Sequence, residues 1–237
     1  MNIDTDSAGS FQLPPEVLEI CELAEGIVSK ELMPLEAEFL TSPNHAFGIK
    51  ETLNLQAVFG QDTLDHLMKI AKDTELWTLM IPEEFGGAGL SMLSKVAILE
   101  RFYYTAVPFP FANVPNILYD CKGEQIEKYL NPVMSGEKTT CFAQTEPNAG
   151  SDPGGMMKTK AVKDGDDWII NGTKMWISMA AESDVMMVQV VTDDEKRQRG
   201  GITMFLVERN NPGVKVEEPG IKTWLGPRAS QYIVHFD

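Results

Sequence analysis

From Pro14 to about Glu137 the apolar residues recur at the three-and-four spacing of a helix face. Val17, Ile20, Cys21, Ala24, Ile27 and Val28 form one stripe, opened by Pro14 and Pro15 and closed by Pro34. Leu64, Leu67, Met68 and Ala71 form a second, with Asp62 or Thr63 placed to cap it. Residues 41–59, with Pro43, Asn44, His45 and Gly48, read as an irregular connection between the two. The run IPEEFGGAGLS at residues 81–91 breaks the helical pattern with Pro82 and three glycines. Ser91 then caps a helix whose apolar face carries Val96, Ala97 and Leu99 towards Phe102. One more short helix covers residues 124–130.

After Gly136 the period changes to two, and Gly, Asn and Asp occupy turn positions between β-rich runs. Strands are predicted at residues 139–144, 159–162, 168–170, 174–177, 185–191, 202–207, 214–216 and 232–236. The turn Lys163-Asp164-Gly165-Asp166 joins the second and third of these. Asn171-Gly172, a pair that accepts positive φ at both central positions, predicts a two-residue hairpin joining the third and fourth. The pattern therefore specifies an α+β multidomain chain: an all-α helical domain, residues 1–137, followed by an antiparallel β-barrel or sandwich domain, residues 138–237.

Composition narrows the function classes. A chain of 237 residues, 43% of them hydrophobic, can bury a sizeable core. Its longest apolar runs fall far short of the roughly 20 residues that cross a bilayer, and MNIDTDSAGS has neither a basic amphipathic nor an apolar leader pattern. The expectation is a cytoplasmic protein with no membrane span. A formal charge of −15 repels phosphate backbones, so nucleic acid is not expected as a partner. Cys21, Cys121 and Cys141 are too far apart for a CxxC pair and odd in number, and His45, His66 and His235 are isolated. Neither set proposes a metal site. The 13 methionines lie inside apolar stretches and read as core filler.

Candidate chemistry is weak residue by residue. In AQTEPNAGSD, residues 143–152, a strand ends at Thr145, Pro147 and Gly150 impose a turn, and Ser151 and Asp152 follow with free polar groups. Such a loop offers backbone N–H groups and short hydroxyls to phosphates or to the polar edge of a ring. Trp176, in a strand that also carries Ser178, offers an aromatic face to a planar ligand, although a Trp in a β domain is usually core.

Order and company change this picture. IPEEFGGAGLS (81–91), GEQIEKYLNPVMSGEK (123–138), CFAQTEPNAGSD (141–152), NGTKMWIS (171–178) and LGPRASQYIVHFD (225–237) stand in the order and approximate spacing of the acyl-CoA dehydrogenase family, which the chain resembles over nearly its whole length. The resemblance implies an FAD-dependent enzyme that removes two hydrogens from the α and β carbons of an acyl-CoA thioester and passes electrons to an electron-transfer flavoprotein, as a homotetramer or hetero-oligomer when complete. It implies that Phe142, Gln144 and Thr145 lie along the isoalloxazine ring, with the Thr145 hydroxyl as a donor. Gly150 and Ser151 match the positions where the loop approaches cofactor and substrate, Ser151 being the substrate-side contact. Trp176 would pack on the flavin, and Ser178 matches a hydroxyl residue near its N5. Arg228 matches a family arginine that serves the fold as readily as a ligand.

The family also places a third, helical domain after the β domain, carrying the catalytic glutamate, and the sequence ends at Asp237. No acid here inherits that role: Glu146 and Glu182 read as structural or solvated, so no catalytic residue is assigned. The expectation is a fragment of an ordinary dehydrogenase, inactive by itself. The alternatives are a base-lacking subunit or acyl-CoA/flavin-binding module of a hetero-oligomer, or an acyl-CoA oxidase or flavin monooxygenase on the same fold. Acyl chain length is not legible.

Overall fold

The structure is a computed structural model and describes residues 12–45, 50–217 and 231–237. It divides into two compact units, one reaching from the N-terminal side to Asn113 and the other running from Val114 to the end. The change of period near Gly136 thus falls inside the second unit. Periodicity reports which element a segment forms. Unit membership reports what that element packs against, and residues 114–136 are helical yet belong with the sheet.

In the first unit α1 (Pro15–Ile27) begins behind Pro14 and buries Val17, Cys21, Ala24 and Ile27, the stripe read from the sequence. Pro34 does not end the helical path. The chain passes through a wide π turn (Val28–Leu32) and a tight 3₁₀ turn (Met33–Leu35) into α2 (Glu36–Thr41). Proline is tolerated there because it stands in the first turn of a new segment, where its missing N–H has no intrahelical partner to lose.

Part of the supposed irregular stretch is helical: α3 (Glu51–Phe59) buries only Asn54 and Leu55, too narrow an apolar stripe to register as a period. α4 (Gln61–Asp73) buries Leu64, Leu67 and Ala71 as expected, but it starts behind Gly60 with no side-chain cap, so neither Asp62 nor Thr63 caps it. α5 (Met92–Phe102) is capped by Ser91, whose Oγ accepts the Ser94 N–H at 3.1 Å. Its buried face is Ser94, Ile98 and Phe102, whereas Val96 is exposed; the stripe runs along i, i+4, i+8, one step away from the one predicted. Phe102 stacks on Phe109 with centroids 4.5 Å apart and meets Phe111 edge-on at 5.1 Å. Glu36 ties α2 to the segment after α5, accepting from Thr105 Oγ1 (2.9 Å) and the Ala106 N–H (2.7 Å).

The second unit opens with a 3₁₀ turn (Asn116–Asp120), a π turn (Ile126–Leu130) and α6 (Asn131–Ser135). Seven strands follow: β1 (Thr140–Ala143), β2 (Lys160–Asp164), β3 (Asp167–Ser178), β4 (Val185–Val191), β5 (Ile202–Glu208), β6 (Val214–Glu217) and β7 (Gln231–Phe236), with the short helix α7 (Pro153–Met156) between β1 and β2. They pair in the order β1-β4-β2-β3-β7-β6, and β5 joins the free side of β4. The sheet is mixed where an antiparallel one was expected, since β1 and β2 both run parallel to β4. Nothing in a hydrophobic pattern carries strand direction. The long excursion through residues 144–184 is the crossover that lets β4 return alongside β1 in the same sense. β4 is buried along nearly its whole length, as a strand covered on both faces must be.

The predicted hairpin at Asn171-Gly172 is absent. β3 runs straight through it as one 12-residue strand, and the tight turn before it, at Gly165-Asp166, is where the chain reverses. Asn171 and Gly172 mark instead a change of partner: Asn171 pairs with Lys160 of β2 and Gly172 with Phe236 of β7. A Cβ on Gly172 would lie 2.5 Å from Thr159 Oγ1 and 2.6 Å from Thr159 Cα, with φ at +151°. The glycine is there for close backbone approach, not for a turn.

Candidate functional site

The predicted residues fall on the second unit at the junction of β1, the loop after it and the second half of β3. In β1, Cys141 and Ala143 enter the core and Phe142 faces out, 48% exposed. The loop then reverses tightly, with Glu146 and Ala149 exchanging backbone hydrogen bonds of 3.2 and 3.1 Å, and presents Gly150 and Ser151 to solvent. Asp152 caps α7 through the Gly155 N–H. The loop joins β3 where the Met175 N–H donates to the Thr145 carbonyl at 2.8 Å.

β3 is irregular at this junction. Its register with β7 shifts between Lys174 and Ile177, so Met175 and Trp176 together face a single residue of β7. Trp176 is in the left-handed region, with φ 62°, and its side chain is 40% exposed. Two other non-glycine residues of the second unit with positive φ are Ser151 at 58°, in the loop after β1, and Met179 at 64°, just after β3. The shift resets the alternation: Lys174 and Ile177 are buried while Trp176 and Ser178 face out. Strained conformations of this kind persist where the fold over-determines them, and they concentrate at ligand sites.

Phe142, Gly150, Ser151, Trp176 and Ser178 are therefore all exposed, and the hydroxyls of Thr145, Ser151 and Ser178 find no partner among the described residues. Gln144 differs. Its side-chain amide donates to Gln189 Oε1 at 2.6 Å and its carbonyl accepts from Lys174 Nζ at 3.1 Å, so its polar groups serve the frame. Arg228 lies outside the described residues.

The sequence reading missed the group that holds this junction together. Lys174 is fully buried and its ammonium donates to Glu146 Oε1 at 3.0 Å as well as to Gln144 O. Glu146, 6% exposed, also accepts the Lys158 N–H (2.7 Å) and the Thr159 N–H (2.9 Å). Burial pushes the Glu146 carboxyl up, but hydrogen bonds from Thr159, from the Lys158 N–H and from Lys174 outweigh it and hold the carboxyl below its ordinary range. For Lys174 burial dominates and draws the ammonium below the usual lysine value against the opposing pull of Glu146. A lysine in an otherwise β-rich run, 28 residues from a glutamate, leaves no local signal of pairing. Glu182, the other acid considered, accepts from the Tyr232 hydroxyl at 2.8 Å. Both acids are thus engaged by partners within the second unit.

Cys141 lies behind this face. Burial raises its thiol to about 11, partly offset by the Ser183 Oγ donor at 3.3 Å. At pH 8 only about one thousandth of it would be thiolate. A maleimide applied to the native protein at that pH should leave Cys141 unlabelled until denaturant is added, and rapid native labelling located by peptide mass would contradict this placement.

Tyr103 and Tyr104 are 77% and 80% exposed, whereas Phe102 is core. Among the described residues no helix is long and apolar enough to cross a membrane.

Could this face take a flavin? An isoalloxazine needs a flat apolar surface with donors at its edge. The exposed aromatic rings of Phe142 and Trp176, and the unpartnered hydroxyls of Thr145, Ser151 and Ser178, are groups of that chemistry.

Comparison with known proteins gives the same family for both halves. Residues 15–137 match the model for the acyl-CoA dehydrogenase N-terminal domain, and residues 141–236 match that for the acyl-CoA dehydrogenase middle domain. The chain is 30% identical over 218 residues to (R)-benzylsuccinyl-CoA dehydrogenase of Thauera aromatica, covering 87% of this chain and 52% of that protein. It is 38% identical over 166 residues to the caffeyl-CoA reductase-Etf complex subunit CarC of Acetobacterium woodii, covering 67% of this chain and 42% of the relative. Among solved structures, a glutaryl-CoA dehydrogenase from Mycobacterium smegmatis in complex with FADH2 superposes with a TM-score of 0.65 at 27% identity, covering 95% of this chain and 53% of the other. The chain thus spans about half the length of the curated relatives it matches.

Proposed function

Because the chain belongs to the acyl-CoA dehydrogenase family, we propose that its second unit supplies the flavin-holding wall of an enzyme that dehydrogenates an acyl-CoA thioester between the α and β carbons. The observation that carries this reading is Trp176. A tryptophan would ordinarily be buried in a sheet, yet this one is held outward by a bulge in a strained backbone conformation.

When bound, FAD supplies the acceptor for the hydrogen that leaves the β carbon as hydride. Trp176 and Phe142 would offer the apolar faces against which the ring system packs. The Thr145 and Ser178 hydroxyls would donate to its polar edge, and Gly150 allows the loop backbone to come close. Ser151, the most exposed hydroxyl of the loop, would contact the acyl-CoA. Gln144 acts at one remove, as part of the frame. Packing a ligand here also excludes water, which strengthens every donor on the face.

Among the described residues, the acids nearest this face are already engaged. Glu146 is engaged by Lys174 and two backbone N–H groups, Glu182 by Tyr232, and Asp152 by the cap of α7. The base in this proposal comes from outside the described residues. Acyl-CoA as substrate and an electron-transfer flavoprotein as acceptor belong to this proposal; family membership supports both, and the Etf complex of the Acetobacterium woodii relative supports such a partner. Assembly as a homotetramer or hetero-oligomer is part of the same proposal.

The test is flavin retention. The native polypeptide should carry FAD through gel filtration, and Trp176→Ala should weaken binding about fivefold through loss of about 1 kcal/mol of ring contact. Equal FAD affinity in the two proteins by calorimetric titration would remove Trp176 from the site.

A further inference from the structure

The buried Lys174–Glu146 pair has no catalytic use in the reading above, yet it touches every segment that shapes the candidate flavin face. Lys174 Nζ donates to Gln144 O and Glu146 Oε1. The carboxylate of Glu146 in turn receives the N–H groups of Lys158 and Thr159 at the entry to β2. Thr145 lies between the two loop residues that Lys174 holds, and its own carbonyl accepts the Met175 N–H. Trp176 is two residues beyond Lys174, within the bulge.

An ideal strand would turn Lys174 and Trp176 to the same face. Here one points inward and the other outward, so a displacement of the lysine along β3 would be transmitted to the tryptophan through a single strained link. A buried pair of charges gives little net stability compared with apolar residues of the same shape, because both ions lose hydration. What such a pair can supply is a fixed geometry, since each charge penalises any arrangement that leaves the other unsatisfied.

We propose that Lys174 and Glu146 are flavin-positioning residues, a buried charged clamp that sets the spacing between the Thr145 loop and Trp176 and thereby shapes the seat for the isoalloxazine ring. The proposal rests on the flavin reading of this face and adds to it two residues that do not touch the cofactor.

The experiment compares the native polypeptide with the double variant K174M/E146Q and with Glu146→Asp, using FAD as the probe. The double variant removes both charges at nearly constant volume. Glu146→Asp keeps the charge but draws the carboxylate back by one methylene. Both should weaken FAD binding at least tenfold and alter the visible absorption and circular dichroism of whatever flavin remains, measured on the folded fraction. A pair that only supports the fold would lower the melting temperature and leave the flavin affinity and spectrum of folded molecules unchanged. That outcome overturns the proposal.

A wild-type measurement needs no variant to fold. Coupling between two sites is reciprocal, so saturating FAD should slow hydrogen exchange of the Lys158 and Thr159 amides at least tenfold. Bound FAD with unchanged exchange at both amides also overturns the positioning role. These results are distinct from failure of the flavin reading itself, in which the wild type binds no FAD and Trp176→Ala changes nothing.

Discussion

Gly172→Ala is expected to cost the second unit about 2–4 kcal/mol, from a left-handed backbone strain of about 1–2 kcal/mol and an overpacking term of similar or larger size. The added Cβ would meet the Thr159 backbone at 2.6 Å and its side chain at 2.5 and 2.7 Å. Backbone cannot rotate out of the way as a side-chain tip can. Relief therefore requires β3 to move away from Thr159, and Gly172 is where β3 passes from β2 to β7, so either pairing would be disturbed. Thr159 is fully buried and its N–H is held by Glu146, which leaves no slack on that side. Urea denaturation followed by circular dichroism should show the midpoint falling with little change in slope. A midpoint shift equivalent to less than about 0.5 kcal/mol, the size of an ordinary surface substitution, would mean that the close approach is not present.

Phe102→Ala is expected to cost about 3–5 kcal/mol in the first unit, the range for removing a large aromatic side chain from a core that cannot fully collapse. Phe102 is 3% exposed and touches two other rings, Phe109 and Phe111, which also contact each other at 5.3 Å. Deleting it removes two of the three ring contacts in that cluster, along with the last buried position of α5. Tyr103→Ala and Tyr104→Ala, one and two residues further on, should each change stability by no more than about 0.5 kcal/mol, because both rings are largely in solvent. Equal losses at positions 102 and 103, measured by the same denaturation, would show that the helix has been assigned the wrong buried face.

The contrast between adjacent residues shows where a hydrophobic pattern is sufficient. In α1 and α4 the apolar positions were numerous and regularly spaced, so their period named both the element and its buried face. In α5 the apolar residues are spread around the helix, and the stripe chosen from sequence was one step from the one that is buried. α3 escaped notice because it buries little. The strands were legible for the opposite reason: short β-rich runs between Gly, Asn and Asp clusters bracket β4, β5 and β6 closely.

The sequence by itself determined the kinds of element, their order, and a family resemblance carried by AQTEPNAGSD and KMWIS in company with three further motifs. These depend on local propensity and on side chains close in the chain, and so they survive in a linear reading. Only the tertiary structure decided the direction of β1 against β4, the passage of β3 through Asn171-Gly172, and the burial of Lys174 against Glu146. Each of these is set by a partner between 13 and 45 residues away, as Thr159 is from Gly172, Glu146 from Lys174 and Val185 from Thr140. Alternation alone would have placed Lys174 and Trp176 on one face. A bulge at Met175 and Trp176, with Trp176 itself in a left-handed conformation, breaks that alternation, turning the charge into the core and the indole out to the surface where a ring could lie against it.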